Sequence, residues 1–295
     1  MTAENPRVYL LGRDNLESAR LSYQHQCMIA RQGFFLHPTV LSALNSKDSA
    51  EPLRILDLAT GNGIWAIDLA VSLTSTTRPV EITCLDISSA QFPPRQTWPN
   101  NVTFDTWDFF TDVPDLYAGH FDVVHVRFII SLLWQDDKSR ERILQQFHRL
   151  LKPGGYLQWQ EPPPPVYDVI SGYHADGSCE VSDEWPEYFR AANKVVPMHD
   201  KTMWLNQLDD LLKTHNGFTD VEVYQPKYKK ERLKYEIDLS VWNLEETTPN
   251  ILRLPWLSDE VKKEIESSWA KLKGELQSGA KVLVMRSIIA IARKV

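Results

Sequence analysis

Arg54-Ile55-Leu56-Asp57-Leu58-Ala59-Thr60-Gly61-Asn62-Gly63-Ile64-Trp65-Ala66-Ile67-Asp68-Leu69-Ala70 is the stretch whose reading decides the fold. Its first part is an apolar run carrying an acid near its end, the pattern of a buried strand. A Gly-x-Gly turn follows, and Trp65 and Leu69 then restart the apolar pattern at helical spacing. Strand, glycine turn and helix start together make a nucleotide-type pocket. The glycines let backbone approach a ligand that a Cβ would exclude, and the first turn of the helix offers unpaired N–H groups.

The turn excludes two common ligand classes. A dinucleotide fingerprint needs a third glycine, but Gly61 and Gly63 lead into Ile64, Trp65 and Ala66, and no Gly-Lys-Ser/Thr follows to cradle a phosphate. What remains, Asp57-x-Ala59-x-Gly61-x-Gly63, resembles motif I of the class I S-adenosylmethionine-dependent methyltransferases, with Ala59 where that family usually has its first glycine. Acid and glycines suit a cofactor with an ammonium, a carboxylate and a ribose but no pyrophosphate. Taken alone, the motif also reads as an ordinary β–turn–α junction.

The following strands carry the comparison further. Val80-Glu81-Ile82-Thr83-Cys84-Leu85-Asp86-Ile87-Ser88 is a β-branched run ending in an acid. That acid stands about 20 residues after the turn, where a doubly wound fold puts the carboxylate for the ribose hydroxyls. Asp86 also has a helix-cap reading, a role that Ser88 or Ser89 fills equally well. A third run, Val102-Thr103-Phe104, leads to Trp107-Asp108-Phe109; a fourth is Phe121-Asp122-Val123-Val124-His125-Val126-Arg127. The fifth runs from Leu151-Lys152-Pro153-Gly154-Gly155 to Glu161, and Leu-Lys-Pro-Gly-Gly closing a helix before a strand is frequent in the family. Tyr9-Leu10-Leu11-Gly12-Arg13-Asp14, Arg20-Leu21-Ser22-Tyr23-Gln24-His25-Gln26, Leu36-His37-Pro38 and Phe121-Asp122-x-x-His125-x-Arg127 resemble a fungal branch associated with secondary metabolism. The resemblance covers residues 7–161 by motif and the rest in outline.

The implied fold is α/β: a Rossmann-like class I methyltransferase with a seven-stranded, mostly parallel sheet, an N-terminal helical cap and a helical lid insertion. The expected division is 1–51 for the cap, 52–161 for the cofactor-binding core, and 162–295 for lid insertions plus the last strands of the same sheet. Helical patterns run over Ser18–Phe35, Ser139–Leu151, Asp200–His215, Tyr235–Trp242 and Ser258–Leu276. Pro162 to Pro165 stop the fifth strand, and Val166–Val196 reads as an irregular, aromatic-rich cover for the substrate. Phe218–Tyr224 and Lys281–Ala292 read as strands, with the latter between the fifth and sixth of the sheet.

Composition narrows the partners. The chain has 295 residues, 43% hydrophobic and 24% charged, with a net charge of −7, which argues against a nucleic-acid substrate. The one basic cluster, Lys227–Arg232, is interrupted by Glu231 and reads as a solvated loop. There is no long apolar span and no basic-then-apolar start, so neither a membrane segment nor a secretory signal is expected. Cys27, Cys84 and Cys179 are scattered, read as reduced thiols of a cytoplasmic protein, and make no metal spacing.

The resemblance implies S-adenosylmethionine as cofactor, with Asp57, Ala59, Gly61 and Gly63 at its methionine end, Asp86 at the ribose, and Asp108 near the adenine between Ile87 and Phe109. Asp108 also reads as a turn cap, and Ile87 and Phe109 as core. Tyr23 and Gln24 either reach the cofactor carboxylate or pack a helix surface. Arg127 binds that carboxylate or a substrate oxygen, or pairs with an acid such as Asp57. His25, His125, His174 and His199 are the candidate bases because imidazole titrates near neutrality. His199 ranks ahead of His174, and mid-strand His125 reads as buried. Alignment alone supplies much of the rate of methyl transfer, so a base is optional.

The expected function is methyl transfer to an oxygen, nitrogen or sulfur of an aromatic or apolar small molecule, without a metal. A methyltransferase-like regulatory subunit of a protein complex and a cofactor-binding enzyme of non-methylating chemistry are the alternatives. The resemblance also admits a homodimer built through the N-terminal helix.

Overall fold

In a computed structural model of the chain, the described residues are 8–45, 51–73, 78–135, 139–215 and 217–295. The expected cap, 1–51, thus has its first seven residues and most of its last six outside them. One sheet organises the molecule. Strands β1 (Leu53–Leu58), β2 (Val80–Asp86), β3 (Val102–Thr106), β4 (Phe121–Arg127) and β5 (Leu151–Glu161) run parallel. The sheet is completed by β8 (Phe218–Tyr224) and β10 (Ile288–Lys294), in the order β3-β2-β1-β4-β5-β10-β8. β10 is antiparallel to both β5 and β8. The order reverses between β1 and β4, the crevice where open α/β sheets bind ligands.

Period-two alternation builds the two faces. Ile55, Val123, Ile289 and Ile291 face α2 (Pro38–Asn45) and α3 (Ile64–Ser72), where Trp65 and Leu69 are each 1% exposed. Leu56, Val124, Leu157 and Ala290 face α5 (Ser139–Leu150) and α8 (Leu208–Thr214). Burying each such leucine or isoleucine contributes about 1.5–3 kcal/mol. The three layers are therefore encoded strand by strand.

The expected N-terminal helix is α1 (Asn15–Gln32), capped by Asp14, whose side chain accepts from Glu17 N, and stopped at Gly33 with φ 82°. Beyond β5 the structure differs from the sequence expectation in several places. Val166–Val196 contains a hairpin, β6 (Tyr167–Tyr173) and β7 (Cys179–Ser182), before α6 (Glu187–Asn193). Gly177, at φ 82°, supplies the turn that the irregular reading overlooked. The single helix expected over Asp200–His215 is split into α7 (Met198–Lys201), a 3-10 turn and α8. The closing strand is also split. β9 (Leu283–Met285) pairs with β6 in a second, three-stranded sheet, and Arg286 breaks it from β10 by donating to Val166 O and Pro164 O.

Residues outside the main sheet make a lid. Helices α9 (Leu233–Leu252) and α10 (Asp259–Gln277) pack with α6 around Ile265, Leu272 and Leu283, and Leu10 of the N-terminal segment joins the same cluster. α9 continues ten residues past the expected Trp242, with Pro249 inside its last turn. α4 (Ile130–Leu133) follows β4 and touches α7. No helix among the described residues is long and apolar enough to cross a membrane.

Candidate active site

The glycine turn is held in an unusual backbone path. Ala59, Gly61 and Gly63 all have positive φ, at 55°, 59° and 73°. Ala59 thus occupies a left-handed position that costs an alanine roughly 1–2 kcal/mol, which explains why a glycine suits the place. A Cβ on Gly63 would stand 2.4 Å from the Phe104 ring, and one on Gly61 3.1 Å from Leu21 of α1. The Phe104 contact demands glycine at 63, whereas at 61 the Leu21 tip would have to give by only a few tenths of an ångström and the left-handed backbone is what favours glycine.

α1 is bolted over this turn. Asn62 Nδ2 donates to Ser18 O at 2.9 Å and to Ser22 Oγ at 2.9 Å. Asp86, at the end of β2, reaches across from the other side. Its Oδ2 accepts from Gly61 N at 3.0 Å and its Oδ1 from Ser88 N at 3.1 Å. Each oxygen keeps a lone pair for another donor. Burial raises the Asp86 pKa, against these two hydrogen bonds that lower it. Of the two sequence readings, Ser88 takes the cap, accepting from Ala90 N.

Beneath the turn, polar side chains repeat with period two on the α3 side of the sheet. Asp57 is 2% exposed; its oxygens accept from Thr60 Oγ1 at 2.5 Å and from His125 Nδ1 at 2.8 Å. His125 stacks on Trp65 with centroids 3.6 Å apart, and its Nε2 has no partner among the described atoms. Burial, the largest influence, pushes the His125 pKa down, so the ring is neutral. Arg127, two residues on, has its pKa lowered by burial to about 10 and stays charged at neutral pH. His25 Nδ1 lies 3.1 Å from Arg127 Nη1, and His25 Nε2 lies 3.0 Å from Asp68 Oδ2 on α3.

At the far end of the crevice, Asp108 Oδ1 accepts from Phe110 N at 2.9 Å, a turn cap. Phe109 is 6% exposed against Phe110, and Ile87 is 57% exposed. So Phe109 belongs to the core and Ile87 stands open beside Asp86.

Other candidates lie elsewhere. The Tyr23 ring turns to α9, 6.2 Å from Trp242, and the Gln24 carbonyl accepts from Arg20 at 2.6 Å. His174, half exposed at the tip of the β6–β7 hairpin, is 3.7 Å from Glu180. His199 on α7 rests on Trp185 and bonds Asp200 at 3.0 Å. Hydrogen bonds and ion pairs join neither histidine to the glycine turn among the described residues.

Several members escaped the sequence reading. Tyr9 has its pKa raised to about 12, by burial first and then by Glu17, with Asp86 among the nearby charges. Arg13 lies over the Tyr9 ring at 4.6 Å. Glu161 is fully buried at the end of β5; it accepts from Ile129 N at 2.9 Å, Ile130 N at 3.1 Å and Trp159 Nε1 at 2.9 Å, and burial raises its pKa to about 7. For Glu161 the available signal was an acid closing its strand, the position that Asp86 holds in β2.

Comparison with known proteins agrees with this geometry. Residues 55–155 match the family model described as methyltransferase domain. The chain is 33% identical over 168 residues to methyltransferase grgD of Penicillium sp, covering 55% of each protein. It is 32% identical over 149 residues to N-methyltransferase tcpN of Claviceps purpurea, covering 50% of each. The chain thus spans about half the length of these curated relatives. Among solved structures, that of loganic acid methyltransferase with SAH superposes with a TM-score of 0.55 at 11% identity over 96% of this chain and 97% of that one, a likeness of fold. Glycine turn, strand order and sequence matches agree: the chain has the Rossmann-like fold of the class I methyltransferases, its residues 55–155 match a methyltransferase domain, and it is similar to methyltransferases of fungi.

Proposed function

We propose that the chain transfers a methyl group from S-adenosylmethionine to an oxygen, nitrogen or sulfur of a small, aromatic or apolar secondary metabolite. The observation that carries this reading is the Asp86 carboxylate tied to Gly61 N across a turn of three left-handed residues, at the reversal of strand order. The pocket's residues suit this cofactor. Asp86 offers lone pairs to two ribose hydroxyls. Gly61 and Gly63 let the turn take the left-handed path that brings its backbone to the cofactor side of the crevice. Ile87 lies open for one adenine face, Asp108 stands at the adenine end, and Arg127 offers donors to the methionine carboxylate. Asp57, with Thr60 and His125 bonded to it, shapes the turn under Ala59.

The bound cofactor supplies a methyl on a positive sulfur, open to in-line attack. This chain's part is to align the nucleophile and keep water out. α1 does the second, since Leu21 and the Asn62 hydrogen bonds close the turn from above. His199 is the favoured proton acceptor because α7 packs against α4, which directly follows β4. His174, at the exposed hairpin tip, is assigned no role. The relative named as an N-methyltransferase makes nitrogen the first acceptor to try.

The test is incubation with S-adenosylmethionine and panels of aromatic amines, phenols and thiols, read by mass spectrometry. Formation of S-adenosylhomocysteine with one added methyl on an acceptor supports the reading. Consumption of an acceptor without consumption of the methyl donor supports the non-methylating alternative, and absence of cofactor binding refutes both.

A further inference from the structure

Arg127 ends β4 with Nη1 3.1 Å from His25 Nδ1. A guanidinium has donors only, so Nδ1 must accept and the ring proton sits on Nε2. That N–H then donates to Asp68 Oδ2, 3.0 Å away. Three elements, α3, α1 and β4, are joined in one line from a partly exposed carboxylate to a cation in the crevice. The His25 ring is 0% exposed and stacks on Phe35 with centroids 5.9 Å apart. Burial holds its pKa down to about 4, with the Arg127 charge acting in the same direction. The lone pair facing Arg127 is therefore present throughout the neutral range.

The choice of partner has a consequence. A carboxylate beside Arg127 would both orient and neutralise it. A neutral imidazole orients the guanidinium while leaving its charge for another anion. Asp68 stands one ring removed, and the Asp57 oxygens accept from Thr60 and His125 rather than from Arg127. β4 lies on the side of β1 away from β2, so Asp86 and Arg127 stand on opposite sides of the β1 turn, and a cofactor holding its ribose at Asp86 would have its amino-acid end toward Arg127. The carboxylate is the anionic group at that end.

We propose that His25, fixed by Asp68, is a positioning residue that orients Arg127 to receive the carboxylate of the bound cofactor. This rests on the cofactor reading above. His25 itself touches no cofactor atom and acts through the guanidinium.

The experiment compares two ligands by calorimetry: S-adenosylhomocysteine, and methylthioadenosine, which keeps the adenosine and thioether but has no amino acid. His25→Ala is expected to weaken S-adenosylhomocysteine about tenfold, the size of one charge-assisted hydrogen bond. Methylthioadenosine should bind as tightly as it does to the wild type. His25→Asn, which puts a carbonyl oxygen near the place of Nδ1, should recover most of the loss. In an Arg127→Ala background, His25→Ala should have no further effect. Asp68→Asn, on a partly exposed side chain, serves as a second variant should His25→Ala not fold, with a smaller loss confined to S-adenosylhomocysteine. Equal weakening of both ligands, or an undiminished His25 effect without Arg127, overturns this inference alone. Failure of both ligands to bind the wild type overturns the cofactor reading and this inference together.

Discussion

Gly63→Ala is the substitution that most directly tests the glycine turn. Gly63 sits at φ 73°, ψ 6°, immediately before α3. An alanine there meets two separate costs. The left-handed backbone costs roughly 1–2 kcal/mol. The new Cβ falls 2.4 Å from Cε1 and 2.5 Å from Cζ of Phe104. That ring cannot swing aside, because Phe92 and Trp98 hold it with centroids 5.1 Å and 4.7 Å away. Overpacking of this kind costs about 1–3 kcal/mol. The stiffer unfolded chain returns about 0.4–1 kcal/mol. The net expectation is a destabilisation of about 2–4 kcal/mol.

The two costs can be separated. In a Phe104→Leu background the steric part should vanish while the backbone part remains, so Gly63→Ala should there cost only about 1 kcal/mol. Urea unfolding of the four proteins, followed by tryptophan fluorescence and far-ultraviolet circular dichroism, gives the cycle. The expected coupling is about 1–3 kcal/mol. Equal cost in both backgrounds refutes the steric argument, and a loss under about 0.5 kcal/mol in the wild-type background refutes the left-handed strain as well.

Ala59→Gly should act in the opposite sense, stabilising the fold by about 0.5–1 kcal/mol, because it relieves a left-handed alanine at φ 55° at the cost of added chain entropy; a lowered urea midpoint would contradict this. Asp86→Asn should leave the fold intact, since one amide oxygen can still accept from Gly61 N, yet weaken S-adenosylhomocysteine about 10–100-fold through loss of a charged acceptor; unchanged calorimetric affinity would remove Asp86 from the site. Glu161 has its pKa raised by burial to about 7, so its stabilising contribution is present below its ordinary value of 4.5 and lost as pH rises through 7. Glu161→Gln should therefore gain stability relative to wild type as pH rises from 5 to 8, and a pH-independent difference in urea midpoint would refute the shift. His25 runs the other way: burial lowers its pKa to about 4, so its contribution is present above 6.5 and lost as pH falls through 4. In His25→Asn the wild-type loss of stability between pH 6.5 and 4 should shrink, measured by the same titration.

Much of the architecture could be read from the chain because its signals are local. The acid, the glycines and the resumed apolar spacing around Asp57–Leu69 identify strand, turn and helix without reference to any distant residue. The order of the five parallel strands and the insertion of β10 between β5 and β8 also match the expectation. The hairpin β6–β7 and the split of Lys281–Ala292 into β9 and β10 were less legible. The hairpin turns on Gly177 alone, and the split depends on β9 pairing with β6, more than a hundred residues earlier, a distant pairing that leaves little trace in either segment.

The site divides in the same way. From sequence alone, Gly61, Gly63 and Asp86 stand out as candidates because their chemistry is tied to a backbone geometry that their own neighbours dictate. The direction of a side chain on a helix is a different matter. Tyr23, Gln24 and His25 are consecutive on α1, and three successive helical residues point about 100° apart. Only the docking of α1 against α3 and α9 sends Tyr23 to Trp242, Gln24 to Arg20 and His25 to Arg127 and Asp68. The sequence by itself thus determined the fold and the kind of ligand, through short-range patterns. Tertiary structure decided which polar groups meet, because a hydrogen bond between His25 and Arg127 is set by the packing of whole elements and by no local rule.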